Sequence, residues 1–279
     1  SPRRRYAPNS PGDRPMGAFR LITWNVNSVR ARLEQVARLS HEQRPHILCL
    51  QETKVDDNGF PHKAMRAAGY RHVCPRGQRM HHGVAILARV PVVHSYSLDW
   101  CDKGDARHIA VRLESGVEVH CFYVPAGGDE PDPETNPRFA HKLAFLDEMR
   151  AWAETLDRPV VLVGDLNVAP LETDVWSHKQ LRNVISHTPP ERTRLDALLA
   201  AHDWVDAMRA AVPAEHKLFT WWSYRARDWQ ASNRGRRLDH IWVSRPLMER
   251  FRTMRVLDDV RDWPRPSDHA PVLADFDDL

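Results

Sequence analysis

The sequence predicts an α/β fold of two mixed β-sheets packed face to face with helices outside. Three observations predict it. The chain opens strand, helix, strand. Between residues 70 and 124 five strand-like runs then follow one another with no helix between them, which requires antiparallel hairpins and excludes a purely parallel, doubly wound sheet. Two runs, Ile47-Leu48-Cys49-Leu50 and Val160-Val161-Leu162-Val163, are apolar without alternation, as strands covered on both faces are.

Residues 1–17, rich in Pro, Arg and small side chains, read as a disordered basic arm, leaving 18–279 as one domain. A strand is expected at 20–26. Val29, Leu33, Val36 and Ala37 recur at helical spacing, which predicts a helix over 29–40. The first buried strand is 47–51, and a short helix over 61–68 is closed by Gly69. Strands follow at 70–74, 83–88, 92–98, 109–114 and 117–124. A helix fits 137–156, the second buried strand 160–164, and another helix 192–201. Strands return at 217–222, 240–243, 254–257 and 272–276. The segments 126–135, 171–190 and 225–236 exceed ordinary connection lengths, and long loops in a compact domain tend to carry function.

A chain of 279 residues can bury a full core without staples. Its four cysteines, Cys49, Cys74, Cys101 and Cys121, show no C-x-x-C spacing, and three sit in or beside apolar runs. That pattern suits reduced thiols of a cytosolic protein better than zinc ligands or disulfides. No apolar stretch approaches the ~20 residues of a membrane span, and no signal-peptide core opens the chain. A cytoplasmic protein without a membrane partner is expected. The net charge is +3, and Arg3, Arg4, Arg5 and Arg14 against Asp13 account for all of it. The remainder is neutral but uneven. From Lys217 to Arg245 seven basic residues face only Asp228 and Asp239, with Trp221, Trp222, Tyr224 and Trp229 interleaved. This stripe suggests an anionic partner held at one place, a solvated face being the plainer alternative. After Leu257 the chain turns acidic.

The residues suited to chemistry lie at the ends of predicted strands, where side chains converge on one rim of a sheet. In Trp24-Asn25-Val26-Asn27, Asn25 and Asn27 share a face at period two; a turn or helix cap is the plain alternative. Gln51-Glu52-Thr53-Lys54 offers a carboxylate where a dry strand would end on a polar residue anyway. In Gly164-Asp165-Leu166-Asn167 an Asp able to orient or deprotonate water stands two residues from an Asn able to hold a phosphate oxygen without added charge; an Asx-turn needs the same residues. Asp239 enters a strand beside the basic stripe and can pair with Arg236, Arg237 or His269. An Asp239–His269 pair would raise the imidazole pKa and keep the ring protonated toward a phosphate. Tyr123, before the turn Val124-Pro125-Ala126-Gly127-Gly128, divides evenly between core packing and function. Jointly these are the inventory for hydrolysing a phosphodiester with a hard divalent metal such as Mg²⁺, which takes oxygen ligands and keeps several waters.

The stretches ITWNVNSVRAR (22–32), ILCLQETK (47–54), HGVAILAR (82–89), FYVPAGG (122–128), VLVGDLNVAP (161–170), FTWWSYR (219–225), NRGRRLDHIWVS (233–244) and SDHAPV (267–272) resemble the exonuclease III family of apurinic/apyrimidinic endonucleases. This family lies within the endonuclease/exonuclease/phosphatase superfamily, and the stretches run in family order after residue 19. The resemblance implies a four-layer α/β sandwich. It implies that Glu52 is the main metal ligand, flanked by Asn25 and Asn27, with Asp268 beside the metal. Tyr123 would contact the scissile phosphate, Asp165 would orient or activate water, Asn167 would bind a phosphate oxygen, and Asp239 would pair with a His269 facing the phosphate. Arg107 and Arg138 resemble positions that hold DNA phosphates. Trp221, Arg236 and Leu238 fall in the matched stretches as DNA-binding candidates, and Arg227 and Trp229 are candidates for probing a lesion. Some relatives push an Arg into the DNA groove after the tyrosine turn; Gly128-Asp129-Glu130 lacks that device.

The activity so implied is cleavage of double-stranded DNA 5′ to an abasic site, leaving a 3′-hydroxyl, with 3′–5′ exonuclease and 3′-end-cleaning activity. The cofactor would be Mg²⁺, with Mn²⁺ able to substitute, as one ion or two. The working unit would be a monomer of bacterial type acting at the nucleoid. A phosphatase of inositol lipids or a sphingomyelinase shares the superfamily core, but the basic-aromatic segment 217–237 argues against it. A DNA-binding relative without catalysis would have no use for Glu52, Asp165, Asn167, Asp239 and His269 together.

Overall fold

A computed structural model describes residues 18–279; the expected arm, 1–17, lies outside the described residues. The strands are β1 (Phe19–Asn25), β2 (Ile47–Gln51), β3 (His72–Arg76), β4 (Val84–Ala88), β5 (Val92–Tyr96), β6 (His108–Leu113), β7 (Glu118–Tyr123), β8 (Val160–Asp165), β9 (Trp204–Asp206), β10 (Trp221–Trp222), β11 (Gly235–Arg236), β12 (Asp239–Ser244), β13 (Phe251–Val256) and β14 (Val272–Phe276). The helices are α1 (Leu33–Gln43), α2 (His62–Ala67), α3 (Pro137–Ala153), α4 (His178–Leu181), α5 (Pro189–Ala200), α6 (Ala207–Ala211) and α7 (Trp229–Ser232).

Two six-stranded sheets form, ordered β13-β14-β1-β2-β4-β3 and β5-β6-β7-β8-β12-β9, with β10 and β11 as a separate ribbon. Each large sheet has one parallel pair, β1 with β2 and β7 with β8, joined across α1 and α3 respectively. Their other pairings are antiparallel. The apolar runs now have a reason. Alternate residues of each strand serve two cores. Leu21, Ile47, Cys49, Ile86, Cys121, Val161, Val163 and Ile241 fill the space between the sheets. Ile22, Trp24, Leu48 and Leu50 point the other way, into a core shared with Val36, Leu39 and Met65 of α1 and α2. Phe122, Val160, Leu162 and Trp242 do the same beneath Phe145, Leu146 and Met149 of α3 and Leu195 and Leu198 of α5. Helix, sheet, sheet, helix is a four-layer sandwich.

The differences from the sequence expectation have local causes. Helix α1 begins at Leu33, four residues later than its periodicity suggests, because Asn27 and Ser28 sit at φ of 45° and 84° and turn the chain first. Helix α5 begins at Pro189 rather than 192, because Thr188 and Glu191 form a capping box ahead of it. The expected strand 217–222 pairs only over β10, and β9, three residues long, was too short to leave a period. The seven-residue basic stripe is not one surface. Arg237 is fully buried, its guanidinium held by Asp174 at 2.8 and 2.9 Å and by Asp206 at 2.8 and 3.0 Å. It ties the 171–175 loop to β9 and is not available to a partner.

Candidate active site

The functional candidates gather where the C-terminal ends of β1, β2, β7 and β8 face the start of β12 and the segment entering β14. Two of the chain reversals there use left-handed backbone: Glu52 and Asn167 both have φ of 53°. Such φ values are disfavoured for residues with a Cβ and persist where the surroundings enforce them. Gly164 sets the approach. At φ of 138° a Cβ there would lie 2.0 Å from the carbonyl oxygen of Phe122, so only glycine lets β8 deliver Asp165 this close to β7.

Asn25 joins the two sheets. Its amide nitrogen donates to Glu52 Oε2 at 2.5 Å and to Asp165 Oδ2 at 2.9 Å, and its oxygen accepts from the Asn27 backbone at 3.0 Å. Asp165 and Asp239 are directly opposite in the antiparallel β8–β12 pair. Like charges so placed destabilise a sheet. His269 resolves the conflict: its Nδ1 is 2.8 Å from Asp239 Oδ2 and its Nε2 is 3.5 Å from Asp165 Oδ2. Burial alone would lower the imidazole pKa, but the carboxylates of Asp239 and Asp165 outweigh it and hold the ring well above the usual histidine range. The magnitudes favour this outcome, since one unit-charge pair at 4 Å is worth about 4 kcal/mol even at an effective dielectric constant of 20. Burial, reinforced by Asp239 and Glu52, pushes the Asp165 carboxyl up to about 7, with His269 and the Asn25 amide opposing. The ring is locked from behind by its own backbone: His269 N donates to Ser267 Oγ at 3.2 Å, and its carbonyl accepts from Trp24 Nε1 at 3.0 Å.

Asn167 adjoins Asp165. Its backbone N–H donates to Asp165 Oδ1 at 3.0 Å and its side-chain amide donates to the Val124 carbonyl at 2.7 Å. The phenol of Tyr123, nearly buried, is driven well above its ordinary pKa by burial and by the charges of Glu52 and Asp165, so it stays a hydrogen-bond donor. Asp239, Asp165, His269, Asn25, Glu52, Asn167 and Tyr123 are therefore one cluster.

Other candidates are placed differently. Asn27 accepts on its side-chain oxygen from Lys54 Nζ at 2.6 Å and donates from its side-chain nitrogen to Tyr224 OH at 3.3 Å. Asp268 accepts from Trp221 Nε1 at 3.0 Å. Arg107 is 7% exposed; its guanidinium lies 5.1 Å from the Tyr123 ring centroid and donates to the Tyr123 carbonyl, so it braces the tyrosine from within. Arg236 stacks on Trp221 and donates to Ser186 Oγ at 2.9 Å, and Leu238 is packed with Ala169, Val175 and Leu181. The Trp229 indole donates to Asp262 at 2.9 Å and packs on Trp222. Arg138, at the first turn of α3, and Arg227 are exposed.

Sequence reasoning missed Lys54 and Lys142. Lys54 stands 3.8 Å from Glu52 within the quoted QETK stretch, and its charge beside a carboxylate was the available signal. Lys142 is fully buried, pairs with the equally buried Glu191, and donates to the Asn167 carbonyl at 2.7 Å and the Ala126 carbonyl at 3.1 Å. Nothing in its sequence surroundings marked it.

Ligand atoms of Glu52, Asp165 and His269 lie within 4.8 Å of one another. The donor set fits a hard cation. Both His269 ring nitrogens face carboxylates and the ring is held cationic, which removes it as a ligand and leaves oxygen donors, those Mg²⁺ and Mn²⁺ prefer. One oxygen of Asp239 is buried with no hydrogen-bond partner, so negative charge at the rim exceeds what the protein's own donors satisfy.

An imidazolium between two carboxylates, beside a partly buried glutamate and a tyrosine donor on the rim of a two-sheet sandwich, defines a phosphoester hydrolase. The chain belongs to the endonuclease/exonuclease/phosphatase family, whose model matches residues 22–269. It is similar to exodeoxyribonuclease III of Haemophilus influenzae, with 31% identity over 92% of this chain and 100% of that protein. An exodeoxyribonuclease of Bacillus subtilis is 30% identical over 91% of this chain and 98% of its own. Among solved structures, an AP endonuclease from Archaeoglobus fulgidus superposes with a TM-score of 0.86 at 32% identity, covering 93% of this chain and 99% of the other. A Neisseria 3′ phosphatase bound to a product DNA hairpin gives 0.85 at 32% identity, covering 92% and 99%.

Proposed function

We propose that the protein is a DNA repair nuclease that cleaves the phosphodiester 5′ to an abasic site, leaves a 3′-hydroxyl, and clears blocked or single nucleotides from 3′ ends. The observation that carries this reading is His269 set between Asp165 and Asp239, with Glu52 across the Asn25 amide. Asp165, its carboxyl made more basic than usual by burial and by Asp239 and Glu52, is placed to accept the proton of an attacking water. His269, kept protonated, faces the phosphate and stabilises its developing charge. Tyr123 and Asn167 offer neutral donors to phosphate oxygens. Mg²⁺ held by Glu52, with Mn²⁺ as a substitute, would supply charge neutralisation at the phosphoryl group and the leaving oxygen.

DNA as the substrate is supported by what the relatives are named for, exodeoxyribonuclease and AP endonuclease activity. It is also supported by the exposed cations Arg138, Arg225, Arg227 and Arg234. An abasic site has no base to read, and an abasic nucleotide leaves the stack at lower cost than an intact one, so recognition must work through shape. One rim on one domain needs no second copy, and the working unit is read as a monomer. No helix among the described residues is long and apolar enough to cross a membrane.

The test offers the purified protein three substrates, an abasic-site duplex, an intact duplex with a recessed 3′ end, and an inositol phosphate, each with Mg²⁺ and with EDTA. Metal-dependent incision of the first and slower trimming of the second are expected. Hydrolysis of the inositol phosphate with no action on DNA would refute the reading.

A further inference from the structure

Met80 is 76% exposed, the most exposed large apolar side chain among the described residues. It also occupies left-handed backbone, at φ of 66°, where a residue with a Cβ is disfavoured. Neither burial nor conformational preference explains a methionine here, so folding gains nothing from it.

The turn that carries Met80, between β3 and β4, is strapped down at backbone level. Met80 N donates to the Lys54 carbonyl at 3.2 Å, and Lys54 N to the His82 carbonyl at 2.8 Å. Thr53 N donates to the Gly83 carbonyl at 3.2 Å, and Gly83 N to the Ala106 carbonyl at 2.8 Å. Gln78 accepts from Ala106 N at 2.7 Å, and Gly77 N donates to Asp57 at 2.7 Å. The strap is thus fixed to the segment Glu52-Thr53-Lys54, which bears the rim carboxylate. A fixed backbone with its tip side chains outward presents rather than hides them. Beside Met80 stands Arg79, whose side chain is 88% exposed and whose ion pair with Asp56 at 3.7 Å is a surface contact; Lys54, the backbone partner of Met80, sends its ammonium to Asn27 and Glu52.

An exposed apolar tip next to an exposed arginine, tied through its backbone to the segment that bears the rim carboxylate, matches a nucleic-acid strand at an interrupted stack. The cations suit the phosphates. A thioether chain suits the gap between base pairs where stacking is lost, as apolar side chains wedge between base steps in other DNA-bending proteins. We infer that Met80 is the apolar wedge that contacts the unstacked step at the damaged nucleotide, with Arg79 on the adjoining phosphate, and that this turn thereby favours damaged over intact duplex. The inference rests on the reading of the rim as a DNA-cleaving site.

The experiment compares the unaltered chain with Met80→Gly and Met80→Gln. Glycine accepts φ of 66° without strain, so the first variant keeps its fold, and glutamine keeps the length while losing the apolar tip. Duplexes carry 2-aminopurine next to an abasic site or in an intact sequence. In EDTA, binding of the unaltered chain should raise the fluorescence of the abasic duplex. Both variants should lose most of that rise and bind the abasic duplex about tenfold more weakly, the size of one lost stacking contact. Binding to intact duplex and single-turnover cleavage at saturating abasic DNA with Mg²⁺ should stay near those of the unaltered chain. Unchanged fluorescence and affinity in both variants, with normal cleavage, would overturn the inference alone. Equal weakening on intact and abasic duplex would also overturn it, since Met80 would then be a general contact. Failure of the unaltered chain to cleave the abasic duplex would overturn the functional reading and this inference with it.

Discussion

His269 is the residue on which the site's electrostatics turn. Asp165 and Asp239 oppose each other across β8 and β12, and a neutral imidazole would leave two carboxylates in conflict. The ring is held cationic by Asp239 first and Asp165 second, against the opposing effect of burial. A pKa raised in the folded state means that this ring stabilises the fold fully below its ordinary unfolded pKa, and that the contribution is lost as pH rises through the raised value. Activity should follow the same proton. In Asp239→Asn the largest charge holding the proton is gone, so the alkaline limb of the single-turnover rate should move to lower pH; an unmoved limb would mean that another group titrates there. Glu52 has a separate part. Glu52→Gln replaces a charged oxygen donor by a weaker neutral one. Activity should fall sharply at low Mg²⁺ and recover in part at high Mg²⁺ or Mn²⁺, with a melting temperature little changed because the side chain lies at the rim, outside the apolar cores. An unchanged metal dependence would remove Glu52 from the metal site.

At the level of elements, the site hangs on two crossovers that mirror each other, β1-α1-β2 and β7-α3-β8. Helix α3 does more than cover its sheet. Lys142 sends its ammonium under the turn after β8, using its three donors on Glu191 and on the carbonyls of Asn167 and Ala126. Glu191 in turn accepts from the backbone of Ser186 at 2.9 and 3.0 Å and from Thr188 Oγ1 at 2.7 Å. Lys142→Met should therefore cost about 3–5 kcal/mol, because it strands a buried carboxylate, whereas Lys142→Met with Glu191→Gln should recover part of that loss; equal destabilisation in thermal melts would show that the pair is not coupled. This pair was illegible in the sequence, as was Arg237, because a basic residue looks the same on paper whether it meets solvent or a buried aspartate. The cluster at the rim was legible for the opposite reason. Strands covered on both faces are apolar throughout, so a polar residue at their ends, Asn25, Glu52, Asp165 or Asp239, stands out. The strand count between 70 and 124 gave the antiparallel hairpins, but no local period could reveal β9, with three residues, or the two-residue ribbon strands.

The molecule as a whole is nearly neutral apart from residues 1–15, which hold its net charge of +3. Their removal should weaken DNA binding at low salt and flatten its salt dependence, since fewer counterions are released. Turnover at saturating DNA should stay the same; a fall in it would make those residues part of the catalytic structure. The cations of the described domain are divided between structure, as in Arg107 and Arg237, and exposed sites such as Arg138 and Arg227, so binding and chemistry should separate in mutants. Asp165 and His269 should act together on water and phosphate. The decisive measurement is single-turnover cleavage of an abasic duplex by Asp165→Asn, His269→Asn and the double variant, with melting temperatures and DNA affinities measured alongside. Each single substitution should lower the chemical step by ~10²–10⁴, and the double should be far less than multiplicatively worse, with DNA still bound. Near-normal cleavage by folded Asp165→Asn would mean that Asp165 does not handle the attacking water.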